Sequence, residues 1–199
     1  MTVSWSFFPL HPKTPESGLA LTDLFKGRES QLEGFQRQLS EVAAREGLPY
    51  GNRVMTYNSR LAQELGSWAD SLPTTADGFL PTTADGSLPT TADGPLPTPA
   101  DRLHDLIYRA YFVDNQNISD IDVLIDLAGK SGLDSVEARR VLLERTESDK
   151  IDRDWIRARN MGISGVPTFA SADLVVVGCQ TYDILMRFVD HLKKLKLAS

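Results

Sequence analysis

The chain has 199 residues, 21 Lys+Arg against 27 Asp+Glu, a net charge of −6, 41% hydrophobic residues and one cysteine. That length predicts one domain, or two small ones, with enough apolar residues for a core. One cysteine excludes an internal disulfide, a Cys-x-x-Cys pair and a multi-cysteine zinc site, and the acidic balance argues against a nucleic-acid binder.

The N-terminal residues lack the basic region, long apolar run and small-residue cleavage site of a signal peptide, and no window is apolar enough for a membrane span. The expected location is the cytoplasm, with no nucleic-acid or membrane partner. Val3 to Phe8 mixes β-branched and aromatic residues and reads as a short strand, followed by a proline-rich loop over Pro9 to Gly18. Leu32, Phe35, Leu39, Val42 and Ala43 recur at helical spacing, predicting a helix from about Glu29 to Glu46 that Gly47 closes. Asn58 is the expected N-cap of the next helix, which runs to about Asp70.

Four units then follow at a period of eight: LPTTADGF, LPTTADGS, LPTTADGP and the degenerate LPTPADRL, over 72–103. Proline in every unit and Asp-Gly in three of them interrupt any long helix or central strand, so the reading is a flexible surface insertion. Helices are expected through Leu103 to Tyr111, after Ser119 or Asp120, after Asp134 or Ser135, and through Ile151 to Met161 with a stop at Gly162. Phe169 leads a strand, Ala172-Asp173 sits at a hairpin turn, and Leu174 to Val177 is the return strand. Thr181 is placed to cap a terminal helix with Lys193, Lys194 and Lys196 near its negative end.

Gly162-Ile163-Ser164-Gly165-Val166-Pro167-Thr168-Phe169, then a hairpin, Gly178-Cys179-Gln180 and a helix, resembles the C-terminal half of DsbA-like thioredoxin-fold proteins. The nearest branch is the FrnE-type dithiol-disulfide isomerases and the related 2-hydroxychromene-2-carboxylate isomerases. Trp5 to Leu10 resembles that family's second strand. Asn58-Ser59-Arg60-Leu61-Ala62 resembles its Asn-Thr-x-x-Ala-His helix start, with Gln63 where the family has histidine. Leu106 to Phe112 with Asn117-Ile118-Ser119-Asp120 resembles its Ala-Tyr-Phe…Asn-Ile segment.

The resemblance implies an α/β thioredoxin-like fold, with 1–28 and 162–199 as the thioredoxin-like portion and 29–161 as an inserted, mainly helical domain. It implies a cis Val166-Pro167 peptide, with Val166, Pro167 and Thr168 binding substrate and Asn58 and Gln180 as further ligand-binding positions. The family opens with a strand and a Cys-x-x-Cys helix that this sequence does not contain. The expectation is a start roughly 20 or more residues upstream, or a redox-inactive relative. The implied activity is thiol-disulfide exchange; the alternative is a glutathione-dependent isomerase-like or non-catalytic substrate-binding protein. Expected partners are a thiol- or disulfide-containing protein or a glutathione-linked small molecule, with glutathione as co-substrate, no other cofactor, and a homodimer as an option.

Cys179 is the only thiol. It reads first as a small buried hydrophobe and second as a reactive monothiol. His11, His104 and His191 lie far apart in sequence, so no metal site is expected. Trp68, Phe112, Trp155 and Phe188 read as core.

Overall fold

The computed structural model describes residues 5–73, 90–91, 94–95, 97–171 and 174–197, with backbone alone at 90–91, 94–95 and 195–197. Two compact units emerge, one of residues 11–151 and one of 1–10 with 152–199. The division differs from the expected domain limits: residues 11–28 pack with the helices, and the boundary falls inside a helix.

In the 11–151 unit, β1 (Leu19–Ala20) pairs antiparallel with β2 (Met55–Thr56), Leu19 opposite Thr56. Between them lie α1 (Leu21–Leu24) and α2 (Glu29–Arg45). Gly47, at φ +69°, turns the chain away after α2 as the sequence predicts. Leu32 and Ala43 of the α2 stripe are buried, whereas Phe35 and Leu39 are exposed. The helix thus presents its apolar face to a partner element along only part of its length.

α3 (Arg60–Ser71) begins one residue later than expected, with Ser59 as N-cap. Asn58 still serves the helix start, because its Oδ1 accepts from the Arg60 N–H at 3.0 Å. Residues 74–89, most of the first three repeats, lie outside the described residues. In the third unit β3 (Thr90–Thr91) pairs antiparallel with β4 (Gly94–Pro95).

The fourth repeat unit is not a loop. It opens α4 (Pro99–Phe112) through a capping box, in which Thr98 Oγ1 accepts from the Asp101 N–H and Asp101 accepts from the Thr98 N–H. Two changes from the other units explain this. Proline replaces the second threonine at the first helical position, and Arg102 replaces the glycine that would break the turn.

α5 (Ile121–Ser131) and α6 (Ser135–Glu144) carry the aspartate caps read from sequence, Asp120 and Asp134, each accepting two backbone N–H groups. Gly132 ends α5 at φ +92°. Leu65, Trp68, Leu103, Leu124 and Leu142 lie in one buried cluster made by α3 to α6. Glu64 is fully buried beside this core. Its carboxylate accepts from Arg60 Nε at 2.5 Å and from Arg145 Nε and Nη2 at 2.6 and 2.7 Å. Burial pushes its pKa up, and the hydrogen bonds from Arg145 and Arg60 outweigh that and bring it below the ordinary value.

α7 (Ser148–Asn160) contains the boundary between the units. Beyond it the second unit continues through β5 (Thr168–Ala170), β6 (Val175–Val177) and α8 (Tyr182–Leu197). β5 and β6 form an antiparallel hairpin with Phe169 opposite Val176. The strand expected at Val3 to Phe8 is not formed over its described part. Trp5 is 87% exposed, and the Phe7 N–H donates to the Asp154 carboxylate at 2.9 Å rather than to a neighbouring strand. β-forming residues make a strand only beside a ladder partner, and among the described residues β5 and β6 pair only with each other. Ala158 is the one buried hydrophobic side chain among the described residues of 152–197.

Candidate functional site

Gly162 stops α7 at φ +67°, and the Ile163 N–H closes the turn onto the Ala158 carbonyl at 3.0 Å. The chain then passes through Ser164 and Gly165 to a cis Val166-Pro167 peptide. Thr168 Oγ1 donates to the Gly165 carbonyl at 2.7 Å, which folds this loop back on itself. Val166 is 51% exposed, and Pro167 is exposed beside it. Among the described residues the Val166 N–H and C=O have no hydrogen-bond partner. They are therefore open to an extended chain laid alongside.

The Pro167 carbonyl is occupied: it accepts from the Gly178 N–H at 2.8 Å. That bond carries the hairpin pairing one step past β6 and fixes where Cys179 begins. Gly178 makes the bend at φ +87°, a conformation that side chains with a Cβ rarely adopt. Gln180 Nε2 donates back to the Val177 carbonyl at 2.6 Å and closes the corner. Cys179 is exposed, so the reading of a buried hydrophobe is corrected. The thiol sits on the bend after the hairpin and is open to solvent.

Val166, Pro167, Thr168, Cys179 and Gln180 thus gather at one hairpin corner. Asn58 belongs to the other unit, and its amide is already used: Nδ2 donates to the carbonyls of Thr14 at 3.1 Å and Pro12 at 3.4 Å. It ties the proline-rich loop to the start of α3. Among the described residues no group of three or more His, Cys, Asp or Glu could hold a metal ion, and no helix is long and apolar enough to cross a membrane.

An aromatic corner in the helical unit was not among the sites expected from the sequence. Tyr108, Tyr111 and Phe112 follow one face of α4, with ring centroids 5.0 Å apart for Tyr108–Phe112 and 4.7 Å for Tyr111–Phe112. Arg53 lies over two of these rings, its Cζ 4.9 Å from the Tyr111 centroid and 5.3 Å from that of Phe112. The i, i+3, i+4 aromatic spacing on α4 was the available signal; the arginine comes from a loop and left none.

The family model for the DSBA-like thioredoxin domain matches residues 92–190. YwbO of Bacillus subtilis is 33% identical over 92 residues, which cover 45% of this chain and 46% of YwbO, so the chain spans about half the length of this curated relative. A probable DsbA oxidoreductase from Streptomyces coelicolor has a similar structure, with TM-score 0.72 and 22% identity over 94% of this chain and 73% of that one. A candidate protein disulfide isomerase from Nitrosomonas europaea superposes with TM-score 0.61 and 14% identity, covering 92% of this chain and 79% of that one. The protein therefore has the DsbA-like thioredoxin fold, mixed α/β and mostly helical, with a DsbA-like thioredoxin domain matched over residues 92–190.

Proposed function

We infer that this chain takes part in thiol-disulfide exchange, in the manner of the FrnE-type branch of DsbA-like proteins. The observation that carries this reading is the shared corner of loop and thiol. Exposed Val166 offers unpaired backbone groups, and the Pro167 carbonyl is bonded to Gly178, the residue directly before exposed Cys179. An extended substrate segment pairs with the Val166 backbone, which brings its disulfide toward the thiol. The Cys179 thiolate attacks one substrate sulfur, the substrate S–S bond breaks, a mixed disulfide forms and the other sulfur leaves as a thiolate.

These 199 residues hold one thiol, so they cannot close a dithiol cycle by themselves. Release of the mixed disulfide needs a second thiol from outside them, and glutathione fits as co-substrate. The single-cysteine count also favours a second reading, a glutathione-using isomerase or a substrate-binding protein in which Cys179 plays no part.

The test is incubation of the folded chain with oxidised glutathione, followed by intact mass analysis. A single glutathione adduct that disappears in Cys179→Ser supports exchange at this corner. No adduct on the folded chain counts against it. The chain should not reduce insulin under either reading. Glutathione-dependent isomerase activity that survives Cys179→Ser would favour the second.

A further inference from the structure

We propose that the Arg53 corner of the helical unit binds a carboxylate ligand, held by the Arg53 guanidinium and the Tyr50 hydroxyl. The site is separate from the hairpin corner and does not rest on the thiol-exchange reading.

The polar groups around this corner are paired. Tyr57 Oη donates to the Asn115 carbonyl at 3.3 Å, Tyr108 Oη donates to the Pro49 carbonyl at 3.0 Å, and Tyr111 Oη and Thr56 Oγ1 share a hydrogen at 3.0 Å. Asn115 uses both ends of its amide, on the Val54 N–H and the Asn52 carbonyl. Arg53 Nε and Tyr50 Oη stand out, because both are shut off from solvent and have no hydrogen-bond partner. Buried polar groups are nearly always paired, and an exception calls for an explanation.

Ser119 Oγ is a third such atom among the described residues, but Arg53 and Tyr50 share one neighbouring ring. The Tyr50 and Phe112 centroids are 6.1 Å apart, and Arg53 Cζ lies 5.3 Å from the Phe112 centroid. Stacking satisfies the face of the guanidinium but leaves its N–H edge in need of acceptors. Among the described residues Arg53 forms no ion pair, whereas Arg60, Arg109, Arg139, Arg140 and Arg145 of this unit pair with carboxylates.

Two donors and a fixed positive charge ask for an anionic acceptor. A carboxylate matches the planar fork of a guanidinium with one pair of bonds and can still accept from a hydroxyl. Burial raises the Tyr50 pKa, Arg53 only partly opposes this, and the hydroxyl stays protonated and able to donate.

The test is an NMR titration of the 199-residue chain with sodium acetate, with sodium phosphate and sodium chloride at matched ionic strength as separate arms. Acetate should produce saturable shifts at the Arg53 Nε–H and at the amides of 50–57, and chloride should not. Arg53→Gln should weaken binding by about tenfold or more, the loss expected for a charged hydrogen bond, and Tyr50→Phe by several-fold. Shifts that match those in chloride, or affinity unchanged in Arg53→Gln, would overturn the proposal. Saturation by phosphate without acetate would overturn the carboxylate assignment. If Arg53→Gln fails to fold, Tyr50→Phe, which loses one oxygen atom, decides: unchanged acetate binding refutes the site.

Discussion

Replacing Glu64 by glutamine tests the strongest electrostatic element of the helical unit. The carboxylate is 0% exposed and takes charged hydrogen bonds from both Arg60 and Arg145. Removing one partner of a buried ion pair costs about 3–5 kcal/mol when the other is trapped without compensation. Here the side chain of Arg145 is 46% exposed and that of Arg60 16%, so both can turn part of their charge to water. A reduced loss of about 2–3 kcal/mol is therefore expected. Urea unfolding followed by fluorescence of Trp68, which is buried in the same unit, should show the midpoint falling by about 1 M for a slope in the usual range. The pH dependence adds a second check. The folded pKa of Glu64 is depressed, so its contribution is fully present above the unfolded value of about 4.3 and is lost as pH falls through the folded value below it. Wild type and Glu64→Gln should therefore converge in stability as pH falls below the unfolded value and through the folded one. A negligible midpoint change at neutral pH, or a difference that persists undiminished into the acid range, would refute the reasoning.

Thr98→Ala removes one half of the capping box that starts α4 and should cost about 1 kcal/mol, read as a small drop in the thermal midpoint; no change would mean that Pro99 alone sets the start. The hydrogen bond that the protonated His104 ring donates to the Asp70 carboxylate raises the pKa of His104, so the pair's contribution is present below the unfolded value of about 6.5 and is lost as pH rises through the folded one. Asp70→Asn should move the His104 titration, followed by proton NMR, down toward that value and should destabilise the chain only on the acidic side; an unmoved titration would contradict the pairing. Gly51→Ala drives a Cβ into the Val113 backbone, beside the bond from the Gly51 N–H to the Phe112 carbonyl, and should lower stability by about 1–3 kcal/mol in urea unfolding. A neutral result would show that the 51–113 approach relaxes freely.

What could be read from sequence follows the range of the interactions. Asp120 and Asp134 cap their helices through N–H groups two and three residues away, and Gly47, Gly132 and Gly162 bend the chain where they stand, so short stretches of sequence sufficed. The Val166-Pro167-Thr168 loop was legible for the same reason: its internal bond spans three residues. Nothing in the sequence singles out Glu64, because the Arg145 that pairs with it lies 81 residues away. The two-residue β1–β2 pairing left no run long enough to show periodicity. The apolar stripe of α2 was correctly placed as a helix, but a stripe does not say what stands opposite, and Phe35 and Leu39 face solvent. Val3 to Phe8 has strand composition without a described ladder partner, and composition alone did not decide its state. The exposure of Cys179 is not legible in the sequence, because burial depends on whether another layer covers the bend after β6.

The residues that hold the core and those proposed to meet substrate do not overlap. Leu65, Leu103, Leu124, Leu142 and the Glu64 network belong to residues 11–151, whereas Val166, Pro167, Thr168, Cys179 and Gln180 all lie within 152–199 and none of the five is buried. Substitutions at exposed positions away from packed or paired groups usually change stability by no more than about 0.5 kcal/mol. A Cys179→Ser chain that unfolds at the wild-type midpoint but no longer takes up glutathione would therefore have lost its chemistry and kept its fold. The same separation makes the opposite outcome informative. If Cys179→Ser lowers the unfolding midpoint appreciably, the thiol is packed against something in solution. The exposed corner on which the exchange reading depends would then be wrong.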